Sequence, residues 1–186
     1  MLQLTQSKSL ADLKGIHGLQ KANLRAQISV EEKESQGFVF VQHSLEDLKK
    51  LNDIEPHVIA LEENHVAAYI LAMTEASKAD IPQLTSMFRQ FDQIEYEGKK
   101  VCDYCYIVVG QVCVGKEYRG KGLFDKVYKH YQESFSEKYD FTITEISTSN
   151  HRSLRAHQRI GFVVIHTFQD RLEEWNIVLW DWSKMP

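Results

Sequence analysis

The stretch Val112-Cys113-Val114-Gly115-Lys116-Glu117-Tyr118-Arg119-Gly120-Lys121-Gly122-Leu123-Phe124 limits what this chain can become. An apolar run up to Val114 reads as a strand. A short polar loop follows, with glycines at 115, 120 and 122. The spacing then predicts a helix from near Gly122 to about Lys138. Leu123, Phe124, Val127, Tyr128, Tyr131 and Phe135 form its apolar face, and Asp125, Lys126, Lys129, Gln132 and Glu133 face outward. A strand that feeds a glycine turn at a helix N-terminus makes an anion site. The free N–H groups of the first turn point at the ligand, and the helix dipole favours negative charge there. Glycine lets backbone approach the ligand closely. Arg119 and Lys121 add positive charge beside it.

The rest of the composition sets the frame. A chain of 186 residues is expected to form one domain over 1–186, with a core that needs no metal and no disulfide. A net charge of −4 argues against nucleic acid as the partner. The three cysteines are Cys102, Cys105 and Cys113. Cys102-Asp103-Tyr104-Cys105 has C-x-x-C spacing, but it lies in an apolar run with no second Cys/His pair. It therefore reads as buried or edge-strand cysteine, and no metal is expected. The polar N-terminus does not look like a signal peptide, and no apolar run reaches membrane-spanning length. A cytoplasmic protein with no membrane partner is the expectation.

Along the chain, residues 2–5 alternate as a strand. Ser9 and Asp12 spell a capping box, followed by a helix with Leu10, Leu13, Ile16 and Leu19 on one side. Gly15 and Gly18 predict that this helix is short or irregular. A second helix is expected over Leu24 to Glu34, and Gly37 then opens Phe38-Val39-Phe40-Val41. Ser44 starts another helix, with Leu45, Leu48 and Leu51 inward. A hairpin pairs His57–Leu61 with His65–Met73 across Glu62-Glu63-Asn64. Residues 81–94 read as a helix with Pro82 in its first turn, and 95–100 as a polar connection. Asp103–Val114 reads as a long central strand and Phe141–Ser149 as the next. A short helix follows from Ser153 to about Ile160, capped by Gly161. Two strands, Phe162–Phe168 and Trp175–Trp182, finish the chain. The fold class is α+β, with a mixed, mostly antiparallel sheet flanked by helices.

Two of these segments together resemble the GNAT superfamily of acetyl-CoA-dependent N-acetyltransferases. The family's pyrophosphate loop reads Gln/Arg-x-x-Gly-x-Gly/Ala. Here Arg119 and Gly122 match, while Phe124 replaces the small sixth residue. Asn150, Ser153, Gly161 and Phe162 match the block Asn-x-x-Ser/Ala-x-x-x-Tyr-x-Lys-x-Gly-Phe. Arg159 stands at the Lys place and His157 at the Tyr place.

The resemblance implies a GNAT-like sheet whose two central parallel strands, 103–114 and 142–149, splay to admit acetyl-CoA. Val112, Cys113 and Val114 would pair with the pantetheine arm. Arg119, Gly120, Lys121, Gly122, Leu123 and Phe124 would hold the pyrophosphate, and Asn150 and Ser153 would contact the cofactor. The implied reaction is direct attack of a primary amine, expected on a small molecule, upon the thioester. His157 would be the general acid for the leaving thiolate. Phe38, Tyr104 and Tyr106 are candidate acceptor contacts, and the segment 38–40 with Phe88 and Phe91 is a candidate roof. No general base stands out among Tyr104, Tyr106, Gln111, Glu75 and Asp103. The resemblance also allows a homodimer.

Two other readings compete. Gly115 to Lys121 spells G-x-x-x-x-G-K, but Gly122 stands where a nucleotide-binding P-loop needs Ser or Thr for Mg²⁺. The substitutions at 124 and 157 also fit a non-catalytic acyl-CoA-binding sensor or interaction module of the same fold.

Overall fold

The computed structural model describes residues 1–29, 31, 38–78, 81, 84–171 and 173–183. Its frame is a seven-stranded sheet in the order β1-β2-β3-β6-β7-β9-β8. The strands are β1 (Gln3–Gln6), β2 (Val58–Glu62), β3 (His65–Met73), β6 (Tyr106–Val114), β7 (Phe141–Ser147), β8 (Val163–Gln169) and β9 (Glu174–Asp181). Among the described strands of this sheet, β6 and β7 run parallel and the other neighbours pair antiparallel. The helices are α1 (Leu10–Ala22), α2 (Leu45–Ile54), α3 (Thr85–Phe91), α4 (Leu123–Phe135) and α5 (His151–Ile160). α1, α2 and α3 cover one face of the sheet through Leu13, Ile16, Leu48, Leu51, Phe88 and Phe91. α4 and α5 cover the other through Leu123, Val127, Tyr128, Tyr131, Leu154 and Ile160.

Several sequence expectations hold with a physical cause attached. Ser9 and Ser44 both build full capping boxes, with Asp12 and Asp47 reaching back to the cap N–H. In the β2–β3 hairpin, Glu63 and Asn64 take positive φ, the backbone that a tight two-residue turn needs.

Others are corrected. α1 is neither short nor broken: it runs for 13 residues through both glycines. Burying Leu13 and Ile16 contributes about 1.5–3 kcal/mol each, which outweighs about 1 kcal/mol lost per glycine. Gly15 is needed there, since a Cβ would lie 2.4 Å from Val66 Cγ2 on β3. Leu10 turns out to solvent. The helix expected over 24–34 is absent in its first part: residues 24–28 form turns, and Leu24 bridges Val39 in parallel. Its remainder, apart from Ser29 and Glu31, lies outside the described residues, as do Gly37 and Pro82. The polar connection at 95–100 is a small hairpin of β4 (Glu95–Tyr96) and β5 (Lys99–Lys100), turning at Glu97 and Gly98 with positive φ. Cys105 is exposed and Cys102 half-buried, both ahead of β6, so neither is buried or on an edge strand. Phe88 and Phe91 are wholly buried core, packed toward Tyr106 rather than roofing a groove.

The feature that positions the site is a fork. β6 and β7 pair only at Tyr106–Phe141, Ile107–Thr142 and Val108–Ile143, and beyond that they separate. A bulge causes the divergence. Leu71 pairs Gln111 and Ala72 pairs Val109, so Gly110 is an extra residue on β6. A bulge bends its strand and increases twist. Gly110 leaves room there for the Met73 thioether, which a Cβ at 2.2 Å would push aside. At the crotch of the fork, the Thr144 side chain donates to Val109 O at 2.7 Å, replacing the backbone ladder.

Candidate active site

A cavity of about 410 Å³ opens at the fork. Val112, Cys113 and Val114 line one wall, Arg119 to Phe124 without Lys121 the mouth, and Asn150, Arg152, Ser153, Arg155, Ala156 and Arg159 the opposite wall. Asn23, Phe38 and Val39 close the near end.

The backbone of β6 is divided between two jobs. Gly115 N donates to Ala67 O, which fixes the phase of the β3–β6 ladder. Alternation then turns residues 111 and 113 toward β3 and residues 112 and 114 toward the open gap. Val112 therefore presents its N–H and C=O, and Val114 its N–H, to the gap, the Val114 carbonyl being taken by Arg119, while the Cys113 backbone serves β3. Burial pushes the Cys113 thiol up to about 12. Arg119 folds back, donating from Nε to Val114 O at 3.1 Å and from Nη2 to Asn23 Oδ1. It ties the loop to α1 while its flank lines the cavity.

The loop ends in an exposed helix start. Gly120 and Gly122 have φ of 73° and 72°, a conformation that side chains disfavour, and nothing lies within 4 Å of where their Cβ atoms would be. Gly122 caps α4 with no side-chain hydrogen bond. The first intrahelical bond runs from Lys126 N to Gly122 O, so the N–H groups of the first turn are left for a partner. α5 starts on the same cavity, but Asn150 Oδ1 accepts from Ser153 N at 3.2 Å and caps it. Asn150 Nδ2 also reaches Phe38 O at 3.4 Å. Lys121 is exposed and outside the lining. Phe124 lines the wall, with its ring 4.9 Å from Tyr128 and edge-on to His157 at 5.3 Å.

His157 lies behind the wall, 2% exposed. Its Nδ1 is 2.8 Å from Ser153 O and so carries the proton, while Nε2 accepts from Tyr128 Oη at 2.6 Å. Burial lowers its pKa to about 4, and the Ser153 carbonyl only partly offsets this. The imidazole is neutral, with both nitrogens engaged. Phe38 lines the cavity; Tyr104 and Tyr106 do not. The Tyr104 hydroxyl donates to Tyr96 O at 2.8 Å, and Tyr106 stacks on Phe141 at the closed end of the fork. Gln111 bridges Tyr69 Oη and Val41 O. Glu75 and Asp103 sit outside β6, in short 3₁₀ turns.

Sequence reasoning missed two groups. The first is Glu145 on β7, two residues past the last β6–β7 pair and on the face of Ile143. Its Oε1 is buried with no hydrogen-bond partner among the described residues. Burial, and then the charge of Asp170, raise its pKa to about 7. The signal was present as a carboxylate among Ile143, Ile146 and Thr144, in a strand that is buried on both faces. The second is Arg152 and Arg155, which join Arg159 along one face of α5 at helical spacing. Arg159 donates to Asp125 Oδ1 at 2.6 Å across the mouth. Among the described residues, no helix is long and apolar enough to cross a membrane.

The comparisons agree with this geometry. Over its whole length the chain resembles the ribosomal-protein-S18-alanine N-acetyltransferase from Escherichia coli, with a TM-score of 0.66 at 11% identity, covering 100% of this chain and 97% of that one. The structure of yncA, a putative acetyltransferase from Salmonella typhimurium with its cofactor acetyl-CoA, matches with a TM-score of 0.63 at 14% identity, covering 99% and 95%. A chimera of the spermidine N-acetyltransferase SpeG from Vibrio cholerae and hSSAT matches at 0.59 and 15%, covering 98% and 96%. No curated protein matches by sequence. The model of the acetyltransferase (GNAT) family matches residues 25–162. With a forked β6–β7 pair, an uncapped α4 start and a family match over most of its length, the chain belongs to the GNAT acetyltransferase family.

Proposed function

We propose that the protein moves the acetyl group of acetyl-CoA to a primary amine of a small molecule by direct attack. The observation that carries this reading is the fork with the bare α4 N-terminus at its mouth. The residues present fit the cofactor. Val112 and Val114 offer strand-like pairing to its amide arm. Gly120 and Gly122 leave room for a diphosphate on the first-turn N–H groups of α4. Arg152 and Arg155 add cations along the other wall. When bound, acetyl-CoA supplies the activated acetyl thioester.

Glu145, just past the crotch of the fork though not among the residues that line the cavity, would supply what the sequence did not reveal, a base. A carboxylate with a pKa of about 7 is ionised often enough at neutral pH to accept a proton from an ammonium, and its driving force is matched to the task. His157 fits a positioning role better than that of an acid. Its protonated Nδ1 is spent on Ser153 O and its Nε2 accepts from Tyr128. With His157 engaged, the proton that Glu145 takes from the ammonium would have to reach the departing thiol through solvent in the open cavity. His157 and Phe124 instead fix the end of α4 against α5.

Release of CoA thiol from acetyl-CoA across an amine panel tests the reading. Wild-type protein is expected to turn over at least one amine, with kcat/KM rising as pH passes about 7 and Glu145 ionises. Glu145→Gln should lower kcat by roughly 100-fold to 1,000-fold, abolish that limb and leave acetyl-CoA affinity in place. Background thiol release with every amine, alongside intact CoA binding, would return the chain to the class of acyl-CoA-binding modules.

A further inference from the structure

On the helix α1–α3 side of the fork, a cation sits in a cage built by four segments. The Arg25 guanidinium lies 5.0 Å from the Phe38 ring centroid and 5.1 Å from that of Phe40. Phe40 packs on Trp175 at 4.9 Å. Arg25 Nη1 donates to Glu173 Oε1, and Glu173 Oε2 accepts from Ser147 Oγ and, at 3.1 Å, from Ser149 Oγ. Two aromatic faces and a hydrogen-bonded carboxylate are the elements that hold a desolvated cation. The cage is poised beside the base. Ser147 follows Glu145 by two residues on the same face of β7, a step of about 6.6 Å along a strand. Asp170 completes the setting, its carboxylate accepting from Glu173 N at 2.7 Å and Trp175 Nε1 at 3.0 Å. Asp170 and Glu145 thus add two further carboxyl groups near that of Glu173.

The arginine is a replaceable occupant. It belongs to a turn rather than to a helix or strand, and its side chain is 42% exposed, against 13% for Glu173. Among the described residues, the side-chain contacts given for it are to Phe38, Phe40 and Glu173. A ligand cation that reaches Glu173 from the fork would meet the same rings and carboxylate, with Arg25 free to swing into water.

Building on the acetyltransferase reading, we propose that Arg25 stands in for a second cationic group of the acceptor: the enzyme's substrates are diamines, with one nitrogen at Glu145 and the other displacing Arg25 from the Phe38–Phe40–Glu173 cage. Anionic acceptors are excluded by the same carboxylates. Arg25 is thus a built-in competitor that raises the apparent KM for such substrates.

Three four-carbon amines test this: 1,4-diaminobutane, butylamine and 4-aminobutanoate. The expected order of kcat/KM is diamine, then monoamine, then amino acid, with at least tenfold between the first and the last. Arg25→Gln should lower KM for 1,4-diaminobutane severalfold to tenfold and change KM for butylamine much less. Glu173→Gln should erase the advantage of the diamine. Binding of 1,4-diaminobutane to the CoA-loaded protein, followed by calorimetry, reads the cage without turnover, and Arg25→Gln should tighten it. Equal or better use of the amino acid, or a diamine affinity that Arg25→Gln leaves unchanged or weakens, overturns the cage. Turnover of butylamine in either case keeps the acetyltransferase reading. Diamine binding that tightens in Arg25→Gln while no amine is acetylated keeps the cage and removes that reading.

Discussion

α4 and α5 begin on opposite walls of one cavity, and they treat their first N–H groups differently. α5 is capped by its own Asn150, as α1 and α2 are capped by Ser9 and Ser44. α4 starts at a left-handed Gly122 with no side-chain cap. A helix end left open costs stability unless something else satisfies it. Here the open end faces a cavity, between glycines that keep Cβ atoms out of the way. The difference assigns the walls: α4 offers donors to an anion, and α5 offers a closed end carrying arginines.

The most drastic way to break this contrast is to give α4 a cap of its own. Gly122→Asp places a carboxylate over the first-turn N–H groups, at a φ of 72°. The cap and the strain nearly cancel, so stability should move within about 1 kcal/mol. Acetyl-CoA affinity should fall roughly 100-fold to 1,000-fold, since the anion seat is taken and the charge is wrong. Calorimetric titration beside a thermal melt separates the two effects.

The next probe removes the joint between the helices. His157→Phe leaves the buried Tyr128 hydroxyl without its acceptor and Ser153 O without its donor, a loss of about 1–3 kcal/mol in denaturant unfolding. It should also flatten the acid limb of stability. The folded pKa of His157 is depressed to about 4 from 6.5. The unfolded chain therefore binds more protons between these values, and stability falls as pH drops from about 6.5 toward 4. His57 is likewise buried with its pKa lowered to about 4, so part of the limb should survive in the variant.

Smaller effects belong to α5. Asn150→Ala uncaps it and should cost about 1 kcal/mol, with an affinity loss well short of that in Gly122→Asp. Arg152→Ala with Arg155→Ala should weaken CoA by about threefold to tenfold at low salt and by less at high salt, as exposed charges are screened.

What could be read from the sequence follows the same division. Gly120, Gly122 and Asn150 were legible because each has a local backbone reason to be there. The helix faces and the β2–β3 turn were legible because periodicity and capping act over a few residues. α1 was misjudged because tertiary packing on Val66 outweighs the glycine penalty. The turns after Leu24 were misjudged because Val39, far along the chain, supplies their backbone partner. Glu145 escaped notice because a carboxylate in an alternating strand suggests an outward face, whereas here β6, β7 and the covering segments bury both faces. The Arg25–Glu173 pair joins residues 148 positions apart, a contact that no local pattern encodes.

Amide hydrogen exchange along β6 tests the central assignment most directly. Val112 and Val114 face the gap, whereas Cys113 is already paired with β3. Added CoA should slow exchange at Val112, Val114 and the first turn of α4, and leave Cys113 unchanged. Protection by CoA that bypasses Val112 and Val114, or an α4 start that exchanges as fast with CoA as without it, would contradict the fork as the cofactor's seat.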